Sequence, residues 1–155
     1  KFVVVGEDTR GQKQSYMEVL KALVAQFHLE DDVIFTGYRE DVPQVMKALD
    51  IFVMPSRQEA FGLVAIEAMA MGCPVVISSG GSASEIVGEQ AFGLLVRPDD
   101  AFDLRHQLQY LLSHPKTRVE MGKNARKHVL REYDRKVRLQ QTLELYERSM
   151  RRRGF

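Results

Sequence analysis

Short apolar runs alternate with amphipathic segments along most of the chain. Residues 1–6 form a continuous apolar run that ends in glycine, which is typical of a parallel strand buried on both faces. A helical pattern follows, since its apolar residues recur at the 3.6-residue period. These residues are Tyr16, Met17, Leu20, Leu23, Val24 and Phe27. The start of the chain therefore predicts a strand followed by a helix.

The rest of the chain repeats this alternation. Further strands are predicted at residues 33–35, 51–54, 75–77 and 93–96. Helices are predicted at residues 41–49, from about 61 to 71, at 85–87 as a short turn, and at 100–113, 116–131 and 135–152. Gly72 and Pro74 are expected to end the second of these helices. No repeat or interdomain linker interrupts this order, so residues 1–155 are expected to form one domain. The order predicts an α/β fold with a mostly parallel sheet and helices on both faces. Ligands bind at the carboxyl ends of the strands in such folds, so a site is expected at that edge, where the small-residue loop from Ser78 to Ser84 also begins.

One charged residue interrupts an otherwise apolar helix. From Ala60 to Met71 every residue is apolar or glycine except Glu67. A helix that is apolar on all sides is normally buried, and an isolated buried carboxylate is costly. Glu59 stands in the loop before the helix. We interpret the two carboxylates as a ligand site; the alternative is a surface charge at Glu59 and an arginine partner for Glu67.

The start of this helix also offers an anion site. If the helix begins near Phe61, the amides of Phe61, Gly62 and Leu63 are free to bind a diphosphate. Carboxylates accept charge-assisted hydrogen bonds from sugar hydroxyls, so Glu67 is expected to bind a ribose and Glu59 another sugar. Gly62 is expected to keep the approach open, because a side chain there would block the ligand.

Two common phosphate motifs are not matched after the first strand. Four residues resemble a Walker A loop: Gly6, Gly11, Lys13 and Ser15. In the P-loop pattern the lysine follows the second glycine directly, whereas Gln12 intervenes here. The dinucleotide pattern G-x-G-x-x-G is also absent after that strand. Neither a P-loop enzyme nor a nicotinamide enzyme is expected.

Composition excludes several other classes. The chain is 45% hydrophobic and 28% charged with a net charge of +1, and it has no apolar run long enough to span a membrane. The single cysteine, Cys73, is expected to be an inert core thiol in a reducing cytoplasm. No cluster has metal-ligand spacing. The four histidines are expected to be surface residues beside helices: His28, His106, His114 and His128.

Charge is distributed unevenly. From Lys116 onward there are 13 Lys and Arg against 5 Asp and Glu, which gives +8 and leaves −7 for the preceding residues. The basic part contains few aromatic residues for base stacking, so a nucleic-acid partner is not expected. We interpret it first as a solvated helical face, and second as a surface for anionic lipid or a partner domain.

The segment Glu59-Ala-Phe-Gly-Leu-Val-Ala-Ile-Glu67 resembles the E-x7-E signature of retaining glycosyltransferases with the two-domain GT-B fold. Further segments match the family in order, at residues 35–37, 50–56, 67–70, 72–76, 93–96 and 121–122. The resemblance implies a Rossmann-like three-layer sandwich that forms the C-terminal half of a GT-B fold. It also implies retaining transfer from a nucleotide-diphosphate sugar to a hydroxyl of a glycan or glycolipid, without a metal or other cofactor.

The resemblance assigns roles to matched positions. Glu67 would bind the ribose hydroxyls, and Glu59 would bind or orient the transferred sugar as the catalytic residue. The backbone amides of Phe61, Gly62 and Leu63 would meet the donor sugar and phosphates, and Gly37, Tyr38 and Arg39 would lie near the nucleobase. The family's Gly-Gly-x-x-Glu pattern has one extra residue between Gly81 and Glu85, so a role for Glu85 is not assigned.

The chain also departs from the family. Such domains normally begin one strand and one helix earlier, with an arginine and a lysine for the diphosphate, and they follow an acceptor-binding N-terminal domain. We expect the missing strand to be replaced by direct pairing of the strands at 2–6 and 51–54, or by a second copy. Arg57 is not expected to replace the missing cations.

Isolated residues 1–155 are expected to be inactive without the N-terminal domain, and to be cytoplasmic with contact at the membrane periphery. Two alternatives remain open. One is a non-catalytic nucleotide-binding module or truncated partner subunit, and the other is a nucleotide-sugar epimerase of the same fold.

Overall fold

A computed structural model describes residues 1–8, 15–57, 61–88 and 91–152 of the chain. It divides into two compact units, residues 1–42 and 43–155, which are called unit 1 and unit 2.

Unit 1 contains a two-stranded parallel sheet and one long helix. Strand β1 (Phe2–Val5) pairs with β2 (Val33–Gly37), and helix α1 (Tyr16–Gln26) connects them. The side chain of Ser15 caps α1 by accepting a hydrogen bond from the Glu18 amide at 3.1 Å. This is the strand, helix, strand order that the apolar pattern predicts.

The expectation that β1 is buried on both faces is wrong. Phe2 is 58% exposed, Val3 and Val5 are also exposed, and Val4 alone is half-buried. A strand is buried on both faces only when a layer covers each side of its sheet, and α1 is the one helix described in unit 1. An apolar cavity of about 180 Å³ lies between α1 and the sheet, lined by Val4, Leu20, Leu23, Val24, Phe27, Leu29, Val33 and Phe35.

Unit 2 contains a three-stranded parallel sheet in the order β3-β4-β5. The strands are β3 (Phe52–Met54), β4 (Val75–Ser78) and β5 (Gly93–Val96). The helices are α2 (Val42–Ala48, beginning at the unit boundary), α3 (Leu63–Ala70), α4 (Ala83–Val87), α5 (Ala101–Ser113), α6 (Pro115–Glu132) and α7 (Arg135–Arg152). Every described ladder is parallel, so the predicted α/β fold is confirmed.

The first and third strands each pair within their own unit. Among the described strands β1 pairs with β2 and β3 pairs with β4, and neither has a second partner. Direct pairing across the two units stays a prediction. Strand donation by a second copy remains a prediction.

The core of unit 2 lies on both sides of β4, whose residues are all buried. One cluster of buried residues joins the sheet to α5 and α6; its members are Val76, Leu94, Val96, Leu111 and Met121. Helix α3 buries Ala65, Ile66, Ala68 and Met69. It ends before Gly72, which has a φ of +80°, the glycine termination predicted from the sequence.

Helices α3 and α6 approach each other closely at two glycines. A Cβ atom on Gly122 would lie 2.2 Å from the carbonyl oxygen of Gly72. Arg126, one turn further along α6, donates to the carbonyl of Ala70 near the end of α3. The approach therefore depends on the missing side chain at Gly122.

The expectation of a surface histidine is wrong for His128 on α6. Its ring stacks on Phe92 with centroids 4.3 Å apart and an angle of 7° between the planes. Both ring nitrogens are buried without a hydrogen-bond partner in the part of the chain that the structure describes. Its position in the sequence does not distinguish it from the exposed His106, because the difference lies in tertiary packing.

Helix α7 has no buried residue, and most of its apolar side chains are exposed, namely those of Leu139, Leu143, Leu145, Tyr146 and Met150. The prediction of a solvated, basic helical face agrees with this helix. None of the described helices has both the length and the apolar character needed to cross a membrane.

Candidate functional site

The strands of unit 2 end together at one edge of the sheet. Met54, Ile77 and Leu95 lie side by side in register across β3, β4 and β5. Because the strands are parallel, the segments that follow them all emerge at this carboxyl edge, where ligands bind in open α/β sheets. The sequence predicts a site at this edge, and the N-terminus of α3 lies directly after β3 in the chain.

Helix α3 begins at Leu63, two residues later than the sequence predicts. Gly62 precedes it in a left-handed conformation, with φ 73° and ψ 42°, and provides no side-chain cap. A residue with a side chain rarely adopts this conformation, so the backbone accounts for the glycine without reference to a ligand. The start of the helix shifts because Phe61 and Gly62 are used to turn the chain into α3.

The first amides of α3 point out of the helix. Within the described residues no acceptor is recorded for the amides of Leu63 and Val64, whereas the Ala65 amide donates to the Gly62 carbonyl at 3.0 Å. Unpaired amides at a helix N-terminus, together with the helix dipole, favour an anion. The described amides at the start of this helix that could meet an anion are therefore those of Leu63 and Val64.

The expectation that Glu67 is buried is wrong, because Glu67 is exposed. It shares one face of α3 with Leu63, which is 62% exposed, and Val64, which is 47% exposed. The opposite face provides all the buried residues of the helix. An apolar composition on all sides predicted full burial, but only one side of α3 is covered in the described structure.

The Glu67 carboxylate has no ion pair or hydrogen bond among the described residues, so the alternative of an arginine partner is not found there. Glu59, the other carboxylate of the signature, lies outside the described residues. Glu67, the described member of the pair, is thus an exposed carboxylate beside exposed apolar side chains.

The three residues predicted near a nucleobase belong to unit 1, and the structure defines their arrangement within that unit. Gly37 ends β2 with a φ of +67°, and the Tyr38 ring is exposed. Arg39 donates two hydrogen bonds to Asp41, from Nε at 2.7 Å and from Nη2 at 2.5 Å. These bonds hold the pKa of Asp41 below its usual value, so this pair is ionised at neutral pH.

The loop after β4 contacts the residue before Gly62. The Ser82 hydroxyl donates to the Phe61 carbonyl at 2.9 Å. At the end of α6 the Tyr133 ring meets the Phe61 ring edge-on, with centroids 6.2 Å apart, and its hydroxyl donates to the Glu85 carbonyl at 3.3 Å. Sequence reasoning missed Ser82 and Tyr133. The small-residue loop at the sheet edge was a signal for Ser82, but no local pattern indicated Tyr133.

A cleft of about 250 Å³ lies at the same edge, lined by Pro55, Ser78, Val96, Arg97, Asp99, Asp100, Ala101 and Leu104. Beside it Arg57 donates to Asp99 at 2.8 Å, and Arg97 pairs with Asp100 at 2.8 Å. Hydrogen bonds from Arg97, first of all from its amide, lower the pKa of Asp103. The cations near this cleft are therefore neutralised by carboxylates of the chain itself.

Comparison with known proteins places this arrangement in a family. The family described as "Glycosyl transferases group 1" matches residues 1–128. The lipopolysaccharide core biosynthesis mannosyltransferase LpsB of Rhizobium meliloti is 41% identical over 100 residues, which cover 63% of this chain and 28% of LpsB.

Two solved structures give the same result for the fold. The Anabaena protein HepE, solved in complex with UDP, superimposes with a TM-score of 0.88 at 29% identity, over 94% of this chain and 40% of HepE. The C-terminal domain of a group 1 family protein (LpcC) from Francisella tularensis has a TM-score of 0.74 at 32% identity, over 84% of this chain and 68% of that domain. The chain thus spans well under half the length of LpsB and HepE. It belongs to the glycosyl transferases group 1 family and has the fold of the C-terminal half of a GT-B protein.

Proposed function

We propose that this chain is the nucleotide-sugar-binding part of a retaining glycosyltransferase, and that its donor lies at the carboxyl edge of β3–β5 against the start of α3. Membership of the family supports the proposal. HepE supports it as well, because that protein has been solved with UDP and with UDP-glucose. The acceptor would be a hydroxyl of a glycan or glycolipid.

One observation carries the proposal: α3 buries one face completely and leaves Leu63, Val64 and Glu67 exposed on the other. Two amides and a carboxylate on one short helix, none with a partner among the described residues, match the chemistry of a diphosphate joined to a ribose. The amides of Leu63 and Val64 would bind the phosphates, and Glu67 would accept hydrogen bonds from the ribose hydroxyls.

The remaining roles follow the family resemblance. Glu59 would orient the transferred sugar, and Gly37, Tyr38 and Arg39 would lie near the nucleobase. The leaving diphosphate would assist deprotonation of the acceptor, so the protein would contribute positioning and charge stabilisation rather than a nucleophile. No metal or other cofactor would be needed. The acceptor-binding domain, the cytoplasmic location and contact with the membrane periphery are parts of the same proposal.

The first test is calorimetric titration of the chain with UDP, GDP and ADP, in the presence of EDTA. We expect weak binding of one nucleotide, unaffected by EDTA, and a loss of about 10-fold or more in affinity for Glu67→Ala. A hydrogen bond to a charged group contributes about 1.5–3 kcal/mol, which is the basis of this magnitude. Glu120→Ala is the matched control, because Glu120 is an exposed carboxylate on α6 with only a 3.9 Å contact to Lys123.

Each outcome decides a separate point. If the unmodified chain binds none of the three nucleotides, the donor site is wrong. If Glu67→Ala binds like the unmodified chain, the role of Glu67 is wrong. Nucleotide binding without transfer or hydrolysis of any nucleotide sugar by the full-length enzyme would favour the non-catalytic module. Interconversion of two nucleotide sugars would favour the epimerase.

A further inference from the structure

The start of α3 is held from a distant part of the chain. Gly62 offers no side-chain cap, so the direction of the first helical amides depends on what fixes the residues before the helix. Phe61 is fixed at two points. Its carbonyl accepts the Ser82 hydroxyl at 2.9 Å, and its ring meets the edge of Tyr133 at a centroid distance of 6.2 Å.

Tyr133 is itself held on several sides. It follows the last residue of α6, where its amide donates to the Val129 carbonyl at 2.8 Å. Its hydroxyl donates to the Glu85 carbonyl at 3.3 Å, and the Arg138 guanidinium lies 5.0 Å from its ring centroid. Burial raises the pKa of Tyr133, so the hydroxyl remains a protonated donor at neutral pH.

A second aromatic layer supports the Tyr133 ring. His128 lies edge-on to it with centroids 5.9 Å apart, and His128 in turn stacks on Phe92 at 4.3 Å. Edge-on and stacked pairs add stabilisation beyond the area they bury. A continuous series of ring contacts therefore runs from Phe92 through His128 and Tyr133 to Phe61, next to the turn at Gly62.

We propose that Tyr133 is a positioning residue for the donor site, acting with Ser82 through Phe61 to aim the amides of Leu63 and Val64. This inference rests on the proposed function for its ligand, a nucleoside diphosphate. The contacts from Tyr133 and Ser82 to Phe61 do not depend on that ligand. Loss of the ring at residue 133 lets the Phe61–Gly62 turn change its geometry. The amides of Leu63 and Val64 then no longer point toward the same diphosphate.

The test measures UDP affinity, thermal stability and amide NMR shifts for three variants and one control. Tyr133→Leu removes the ring, Tyr133→Phe keeps the ring without the hydroxyl, and Ser82→Ala removes the bond to the Phe61 carbonyl. Tyr110→Leu is the control, because Tyr110 on α5 makes another aromatic contact, a tilted pair with His114 at a centroid distance of 4.6 Å.

Tyr133→Leu is expected to weaken UDP binding about 10-fold or more and to shift the amide resonances of Leu63 and Val64 even without UDP. Tyr133→Phe is expected to keep affinity within about 3-fold, and Ser82→Ala to lie between the two. Tyr110→Leu is expected to lower the melting temperature without changing either UDP affinity or those two amide shifts.

Unchanged UDP affinity in Tyr133→Leu overturns the inference, as does an equal loss in Tyr110→Leu. If Tyr133→Leu does not fold, Ser82→Ala decides: unchanged Leu63 and Val64 shifts in that variant overturn the inference. If the unmodified chain does not bind UDP, the donor proposal fails for this nucleotide. The amide shifts of the variants then still decide whether Tyr133 and Ser82 fix the start of α3.

Discussion

His128 places two polar atoms where nothing described can pair with them. Its ring nitrogens are buried and unpartnered, while its ring makes close aromatic contacts with Phe92 and Tyr133. A buried polar group without a partner costs about 1–3 kcal/mol. The ring of His128 therefore stabilises the fold through its aromatic contacts, whereas its two unpaired nitrogens lower the stability.

Replacing His128 with an apolar aromatic residue is expected to stabilise the protein. His128→Phe keeps an aromatic ring against Phe92 and removes both unpaired nitrogens, so the free energy of unfolding should rise by about 1 kcal/mol. Urea denaturation measures the change. His106→Phe on the exposed surface of α5 is the control and should have little effect. A fall in stability for His128→Phe would mean that the nitrogens have a partner or that the ring site cannot accept phenylalanine.

Cys73 illustrates a residue whose environment agrees with the sequence. The side chain is 3% exposed, and burial raises the pKa of its thiol to about 12. The prediction of an inert core thiol agrees with both values, since the thiolate is the reactive form.

The reactivity of Cys73 should therefore report unfolding. At pH 8 a thiol reagent is expected to label the native protein at least about 100-fold more slowly than the urea-unfolded protein, where the thiol pKa returns to about 8.5. The rate of absorbance change with a chromogenic disulfide gives both values. Similar rates in the two states would show that α3 and β4 open frequently around this residue.

At the scale of elements, the sequence predicts β5 and α7 closely, because hydrophobic period and glycine punctuation are local signals. It does not predict which face of α3 is covered. The apolar run from 60 to 71 indicates a buried helix, yet Leu63, Val64 and Glu67 are exposed. The hydrophobic period shows which residues share a face of a helix. Whether that face is buried depends on the elements that pack against it.

The close approach of α3 and α6 leads to a stability prediction. Gly122→Ala would place a methyl group 2.2 Å from the Gly72 carbonyl oxygen, a backbone atom that cannot rotate away. Overpacking of this kind costs about 1–3 kcal/mol, so the midpoint of urea unfolding should fall accordingly. Lys127→Ala, an exposed change on the same helix, is the comparison. An unchanged midpoint for Gly122→Ala would show that the two helices separate without cost.

At the scale of the whole molecule, the alternation of strands and helices predicts the parallel α/β fold and the edge that carries the candidate site. It does not predict the strand order β3-β4-β5, because strand pairing is a non-local choice. Tyr133 escaped prediction for the same reason, since the carbonyl that accepts its hydroxyl belongs to Glu85, 48 residues earlier in the chain.

The contacts of α6 also have a consequence for biosynthesis. Arg126 binds the carbonyl of Ala70, 56 residues earlier, and Tyr133 binds that of Glu85, 48 residues earlier. During translation, Ala70 and Glu85 are made before Arg126 and Tyr133, the residues that bind their carbonyls. A nascent chain that stops before α6 has the carboxylate of Glu67 but lacks the rings that fix Phe61. The start of α3 is therefore held by these contacts only after α6 and Tyr133 have been made.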